Sequence, residues 1–164
     1  MARPTTYATP ICLVLTLLVI VGIIWGYLAH NALIAVLFML PAVGYEAYRT
    51  EGASTTWASW VLLLLIIAEL ICIIFRINFD LGSYFGVSET YAAGVYLPLG
   101  DIKIIFPMVM LVLSLILFFR TNGKYTKWLA VLIILGSIVT VYLLDPSFLK
   151  QFFGLILGRG LYYF

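Results

Sequence analysis

Five apolar stretches, each close to the length that crosses a lipid bilayer, fix what this chain can fold into. A hydrocarbon core of about 30 Å needs roughly 20 apolar residues at 1.5 Å each when the segment is helical. The stretches run over 10–29, 31–48, 57–76, 102–119 and 125–144. They leave little polar sequence: 65% of the 164 residues are hydrophobic and 10% charged, where soluble domains average about 45–50% and about 25%. The pattern predicts an all-α integral membrane protein, one domain built as a bundle of five transmembrane helices. It excludes a water-exposed globule, a secreted disulfide scaffold, a disordered chain and a nucleic-acid binder.

The boundary between the first two stretches is the least marked, because only Ala29-His30-Asn31 separates them. One helix over 10–48 would be about 58 Å long and would overshoot the bilayer, so a tight hairpin is expected. The alternative is four spans, with the second stretch re-entrant or lying at the interface. Later boundaries are clearer. Arg49 to Thr56 is small and polar, followed by Trp57 and Trp60 where interfacial aromatics belong. Arg120-Thr121-Asn122-Gly123-Lys124 reads as a helix stop and turn, since Asn and Gly tolerate positive φ. Tyr125 and Trp128 then mark the same membrane surface. Pro10 suits a helix start, and Pro41 and Pro107 suggest local kinks.

Between 77 and 101 lies a long extramembrane loop rich in glycine and tyrosine, within which Val95-Tyr96-Leu97 suits a short extended piece. Loops this long are usually functional or docked on a partner. Asp145-Pro146-Ser147 opens a tail, 146–164, whose first part predicts a short C-terminal interfacial helix, too short to span. Lys and Arg set orientation. Arg3, Arg49, Arg120, Lys124 and Lys127 fall on the amino-terminal side, against Arg76, Lys103, Lys150 and Arg159 opposite. This small excess favours a cytoplasmic amino terminus.

Few side chains offer chemistry. Glu69 is the ionisable group nearest the middle of a span, where a charge costs about 2.5–3.5 kcal/mol on insertion scales, so it is expected to face a bundle interior. Glu69, Cys72 and Arg76 share a helix face, but Arg76 is two turns away. Glu69 is thus an ion or proton candidate, against the plainer role of a protonated carboxyl bonded to a neighbouring helix. His30, the only histidine, can offer one ligand to a group shared between subunits, but a capping or interfacial role at the hairpin turn suits it better. Glu46 closes the second span and reads as a solvated or headgroup-facing acid. Gly22 and Gly26 form a GxxxG pattern that suits close helix packing, and Gly154 and Gly158 repeat the spacing. Cys12 and Cys72 lie in apolar sequence with no CxxC pattern, and read as buried thiols.

No phosphate-cradling glycine loop, HExxH, GxSxG or metal-spaced cluster of Cys and His occurs. A complete active site is therefore not expected. The expected function is that of a non-catalytic accessory subunit in a larger membrane complex of energy-conversion or membrane-oxidase type. Its partners would be other integral membrane subunits and membrane lipids, with no cofactor of its own and lipid, quinone or pigment at subunit interfaces. The alternative is a small oligomeric transporter or ion-conducting protein using Glu69, lined up at the axis of a homo-oligomer.

Overall fold

A computed structural model of the chain describes residues 7–50, 53–77, 90–92, 95–97 and 102–146. Five helices dominate: α1 (Ala8–Leu28), α2 (Ala32–Arg49), α3 (Ala53–Ile74), α4 (Ile102–Arg120) and α5 (Lys124–Leu144). All five contain a stretch long and apolar enough to cross a membrane. Pro10 sits in the first turn of α1, where the amide it lacks would have no helical acceptor. The helices continue through Pro41 and Pro107. In the long loop, β1 (Thr90–Ala92) pairs antiparallel with β2 (Val95–Leu97), Tyr91 opposite Tyr96. Among the described residues the chain is therefore helical with one small hairpin. The expected tail helix lies outside the described residues beyond Pro146, as does most of the 77–101 loop.

Side-chain pairs give the directions of the helices. Gly22 faces Phe38 and Gly26 faces Ala35, so α1 and α2 run antiparallel. Thr9 meets Tyr125 and Tyr27 stacks on Tyr142, so α1 and α5 run parallel. Neighbours in sequence pack against one another from α1 to α3, α3 packs on α4 and α4 on α5. Contacts from α5 to both α1 and α2 then close the bundle. The α2–α5 contact divides it into two compartments. On one side Cys12, Leu15, Val19, Ala42, Leu129 and Leu132 fill the space between α1, α2 and α5. On the other, Val36, Met39, Val43, Leu62, Ile66, Leu70, Met110, Leu117 and Ile133 join α2, α3, α4 and α5. In α2 and α5, 44% of an 18-residue stretch is buried, against 28% in the other three, so these two are the central pair. A second stretch lying at the interface does not fit: α2 is a full helix in contact with α1, α3 and α5.

The turns differ from expectation in one respect. Gly123 has extended backbone, φ −70° and ψ 126°, because the α4 pattern persists to a Thr121 N–H bond to the Leu117 carbonyl before the chain turns. The left-handed positions among the described non-glycine residues are His30 (φ 48°) and Arg76 (φ 52°), after α1 and α3. Each closes its helix with paired bonds. His30 N–H reaches the Tyr27 carbonyl and Asn31 N–H that of Gly26; Arg76 N–H reaches Ile73 and Ile77 N–H reaches Cys72. This is the Schellman arrangement on residues other than glycine. Asn31 then caps α2, its side chain accepting from Leu33 N–H at 3.0 Å.

Three glycines test the packing. A Cβ on Gly22 would strike Phe38 Cβ, close to the backbone of α2, whereas one on Gly136 would strike the mobile end of Met39, and one on Gly44 would meet nothing within 4 Å. Gly22→Ala is expected to lower stability by about 1–3 kcal/mol through overpacking, and Gly136→Ala by less. Gly44→Ala is expected to gain about 0.5–1 kcal/mol from helix propensity. Thermal unfolding in one detergent would order the three; Gly22→Ala melting above Gly44→Ala would contradict the α1–α2 packing.

Candidate functional site

Two glutamates lie wholly inside the bundle, near opposite ends. The near end of the bundle is the one where α1 begins, and the far end the one where it finishes. Glu69 on α3 is 0% exposed, and neither carboxylate oxygen has a hydrogen-bond partner. It follows Ile66 by one turn. Met110, Ile133 and Val36 pack in the same core cluster as Ile66. One turn from Ile133 toward the far end stands Ser137, buried and with its hydroxyl also unpartnered. One turn from Met110 toward the far end stands Pro107, buried and unable to donate to the carbonyl one turn back. Counted along their own helices, Glu69, Pro107 and Ser137 each stand about 8–10 Å inside the far end at the helical rise.

Glu46 on α2 lies about 5 Å inside the near end and is also 0% exposed. It is not the solvated acid expected from its place at a span end, because the α2 face it occupies turns to the bundle centre. Thr50 Oγ1 lies 3.0 Å from Glu46 Oε1 and 2.8 Å from the Glu46 carbonyl, and can donate to either. Oε2 has no partner. Thr56 donates to the Thr50 carbonyl at 3.2 Å, which ties the start of α3 to this corner. Arg49 lies over the Tyr125 ring, 4.7 Å from its centroid, and donates to Tyr45 Oη at 3.3 Å. Tyr125 Oη pairs in turn with Thr9 Oγ1 at 2.8 Å. One tyrosine therefore fastens α1, α2 and α5 together at the near end.

Between the two carboxylates the interior is closed. Buried hydroxyls at the near end (Thr55, Ser59, Ser114, Thr126) give way to Leu62, Ile66, Met39, Met110 and Ile133 before Glu69 is reached. Ten residues of α2 separate Glu46 from Val36, about 15 Å along the helix.

Other candidates fall elsewhere. Arg76 is exposed in the left-handed turn after α3, and the structure does not bring it to Glu69. His30 is exposed in the matching turn after α1, its ring 6.2 Å from that of Tyr27. Gly22 and Gly26 both lie on the α1–α2 contact within the chain, and Gly154 and Gly158 lie outside the described residues. Cys12 and Cys72 are buried free thiols. No three metal-binding side chains come together among the described residues. Sequence reasoning missed the unpartnered Ser137 and the Glu46–Thr50 pair, although Glu46 and Thr50 stand one helical turn apart in sequence. No protein family matches the chain, and no curated protein or solved structure matches it.

Two tests follow. Thr50→Val removes the hydroxyl beside Glu46 and is expected to destabilise the protein by about 1–3 kcal/mol, the cost of a buried acceptor left unpaired. Glu46→Leu made in that background should recover part of the loss, and a melting temperature unchanged by Thr50→Val would count against the pair. His30→Gly and Arg76→Gly place glycine where φ is positive, and are expected to hold stability or raise it by about 0.5–1 kcal/mol. Marked destabilisation in detergent would show that these side chains do more than turn the chain.

Proposed function

We propose that the chain carries protons across the membrane through the interior of its own bundle, with Glu69 as the group that takes up and releases the proton. The observation that supports this is the Glu69 carboxyl, fully buried inside the bundle with both oxygens unpartnered. A carboxyl kept for structure would be expected to donate to a neighbouring helix. Uptake of one proton converts the carboxylate to a neutral acid; release on the opposite side restores it. A single carboxylate supplies too few oxygens to replace the shell of a metal cation, which favours the proton as cargo. Because Glu69 faces the inside of one bundle, it is not placed to line the axis of a homo-oligomer. The apolar plug implies a gated carrier, not an open pore.

A second reading, a non-catalytic subunit of a larger membrane complex, is favoured by the outward faces of α1, α3 and α4, which carry exposed Trp25, Trp57, Trp60 and Phe119. Lipid or neighbouring subunits would cover these faces equally well.

The deciding measurement is proton flux in liposomes containing the purified protein, an imposed pH difference and an internal pH dye. Flux above that of empty liposomes is expected, falling at least tenfold in Glu69→Gln and less in Glu69→Asp, with both variants melting near the parent. Flux equal to that of empty liposomes, or unaltered in Glu69→Gln, would overturn the proposal. Isolation from the native membrane with larger subunits at fixed stoichiometry would then favour the subunit reading.

A further inference from the structure

A groove of about 410 Å³ runs down the outer side of the α1–α5 seam. Val19 and Leu132, both buried, form its floor. Ile20 and Ile23 on α1, and Trp128, Val131 and Leu135 on α5, form its walls. The one polar side chain with a hydroxyl in the lining is already engaged: Thr16 Oγ1 donates to the Cys12 carbonyl at 2.6 Å and accepts from Trp128 Nε1 at 2.9 Å. That bond clips the two helices together and leaves a lining with almost no polar surface. The groove therefore suits a hydrocarbon chain and offers nothing to a polar ligand.

Its near end is different in character. Lys124, Trp128, Val131 and Leu135 are spaced i, i+4, i+7 and i+11, so they lie along one stripe of α5. Lys124 is exposed and heads that stripe. Beside it are the Thr9–Tyr125 hydroxyl pair and Arg49 over the Tyr125 ring. The other charged side chains described at this end, Arg120 and Lys127, are also basic, and the acid Glu46 is enclosed. From Lys124 to Leu135 is about 16 Å at the helical rise, close to one leaflet of a 30 Å hydrocarbon core.

We propose that this seam binds one anionic phospholipid from the leaflet at the near end, an acyl chain lying in the α1–α5 groove and the phosphate held at Lys124. Charge complementarity selects the headgroup, and the match between the Lys124–Leu135 stripe and leaflet depth selects the chain. Attraction of anionic lipid to basic residues at a membrane surface supplies the preference over a zwitterionic lipid. The site is independent of the proton proposal: it does not include Glu69, and either can fail alone.

The test uses the full chain, stripped of lipid in detergent and titrated with phosphatidylglycerol or phosphatidylcholine of identical chains, with retained lipid counted by native mass spectrometry. One phosphatidylglycerol is expected to be retained at least fivefold more than phosphatidylcholine. Lys124→Gln should bring the two within twofold while leaving the melting temperature in place. Ile20→Trp, which fills the groove from its exposed wall, should reduce retention of both lipids. Equal retention of the two lipids by the parent protein would overturn the proposal without reference to any variant. So would a preference that survives Lys124→Gln, or retention unaffected by Ile20→Trp in a protein of unchanged melting temperature. A dimer that Ile20→Trp converts to monomer, with lipid retention unaltered, would assign the groove to a second copy of the chain instead.

Discussion

Close approach of helix backbones at α2 is the constraint on which the rest of the bundle depends. Within lipid, apolar surface gains little by leaving one hydrocarbon environment for another, so helices associate through fit and through small residues that let backbones come near. α2 meets Gly22 and Gly26 of α1 on one side and Gly136 of α5 on the other, with its own Ala35 facing Gly26. It is also the least apolar of the five, with a mean hydropathy of 1.3 over its best stretch against 2.2 to 2.7 for the others. The helix that would sit least well in lipid is one of the two that the fold shields most. That placement encloses Glu46 in the bundle, with α3 and α5 packed against α2.

Interior hydroxyls divide into those that look after themselves and those that do not. Ser59, Ser114 and Thr140 each donate to the carbonyl four residues back in their own helix. This is the local solution open to Ser and Thr in an apolar setting. They need no partner across the bundle and say little about function. Glu69 and Ser137, together with one oxygen of Glu46, lack such a solution. A carboxylate cannot donate, and a buried acceptor without a donor costs about 1–3 kcal/mol or more. That these groups stand in the compartments around α2 and α5, away from the lipid face, is what separates a functional interpretation from a packing one.

Much of the architecture was legible in the sequence, because helix length and apolar run are dictated by the bilayer. The five spans fall within four residues of the expected limits; α3 starts earlier, at Ala53. The burial of Glu69 followed from the cost of exposing a carboxyl to lipid. Glu46 did not follow, since a residue one turn from a span end can face headgroups or the bundle, and only the rotation of α2 decides. Ser137 did not stand out either, because a serine in a helix usually bonds the carbonyl one turn back, and only the structure shows its hydroxyl unpartnered. The left-handed turns at His30 and Arg76 were hidden for a simpler reason: neither is glycine or asparagine, the residues that usually announce such a position.

The apolar plug gives the proton proposal its physical content. Glu46 and Glu69 stand near opposite ends of the bundle, too far apart to pass a proton directly, and Leu62, Ile66 and Ile133 pack in the apolar core of the same bundle. Transfer therefore requires the plug to part. Its two flexible members are Met39 and Met110, unbranched side chains that repack at small cost. Met39 rests on Gly136, the position beside the unpartnered Ser137, so its movement would alter the α2–α5 contact there. Proton movement on this scheme is limited by repacking of α2 against α5, and the same contact that builds the bundle sets the rate at which anything crosses it.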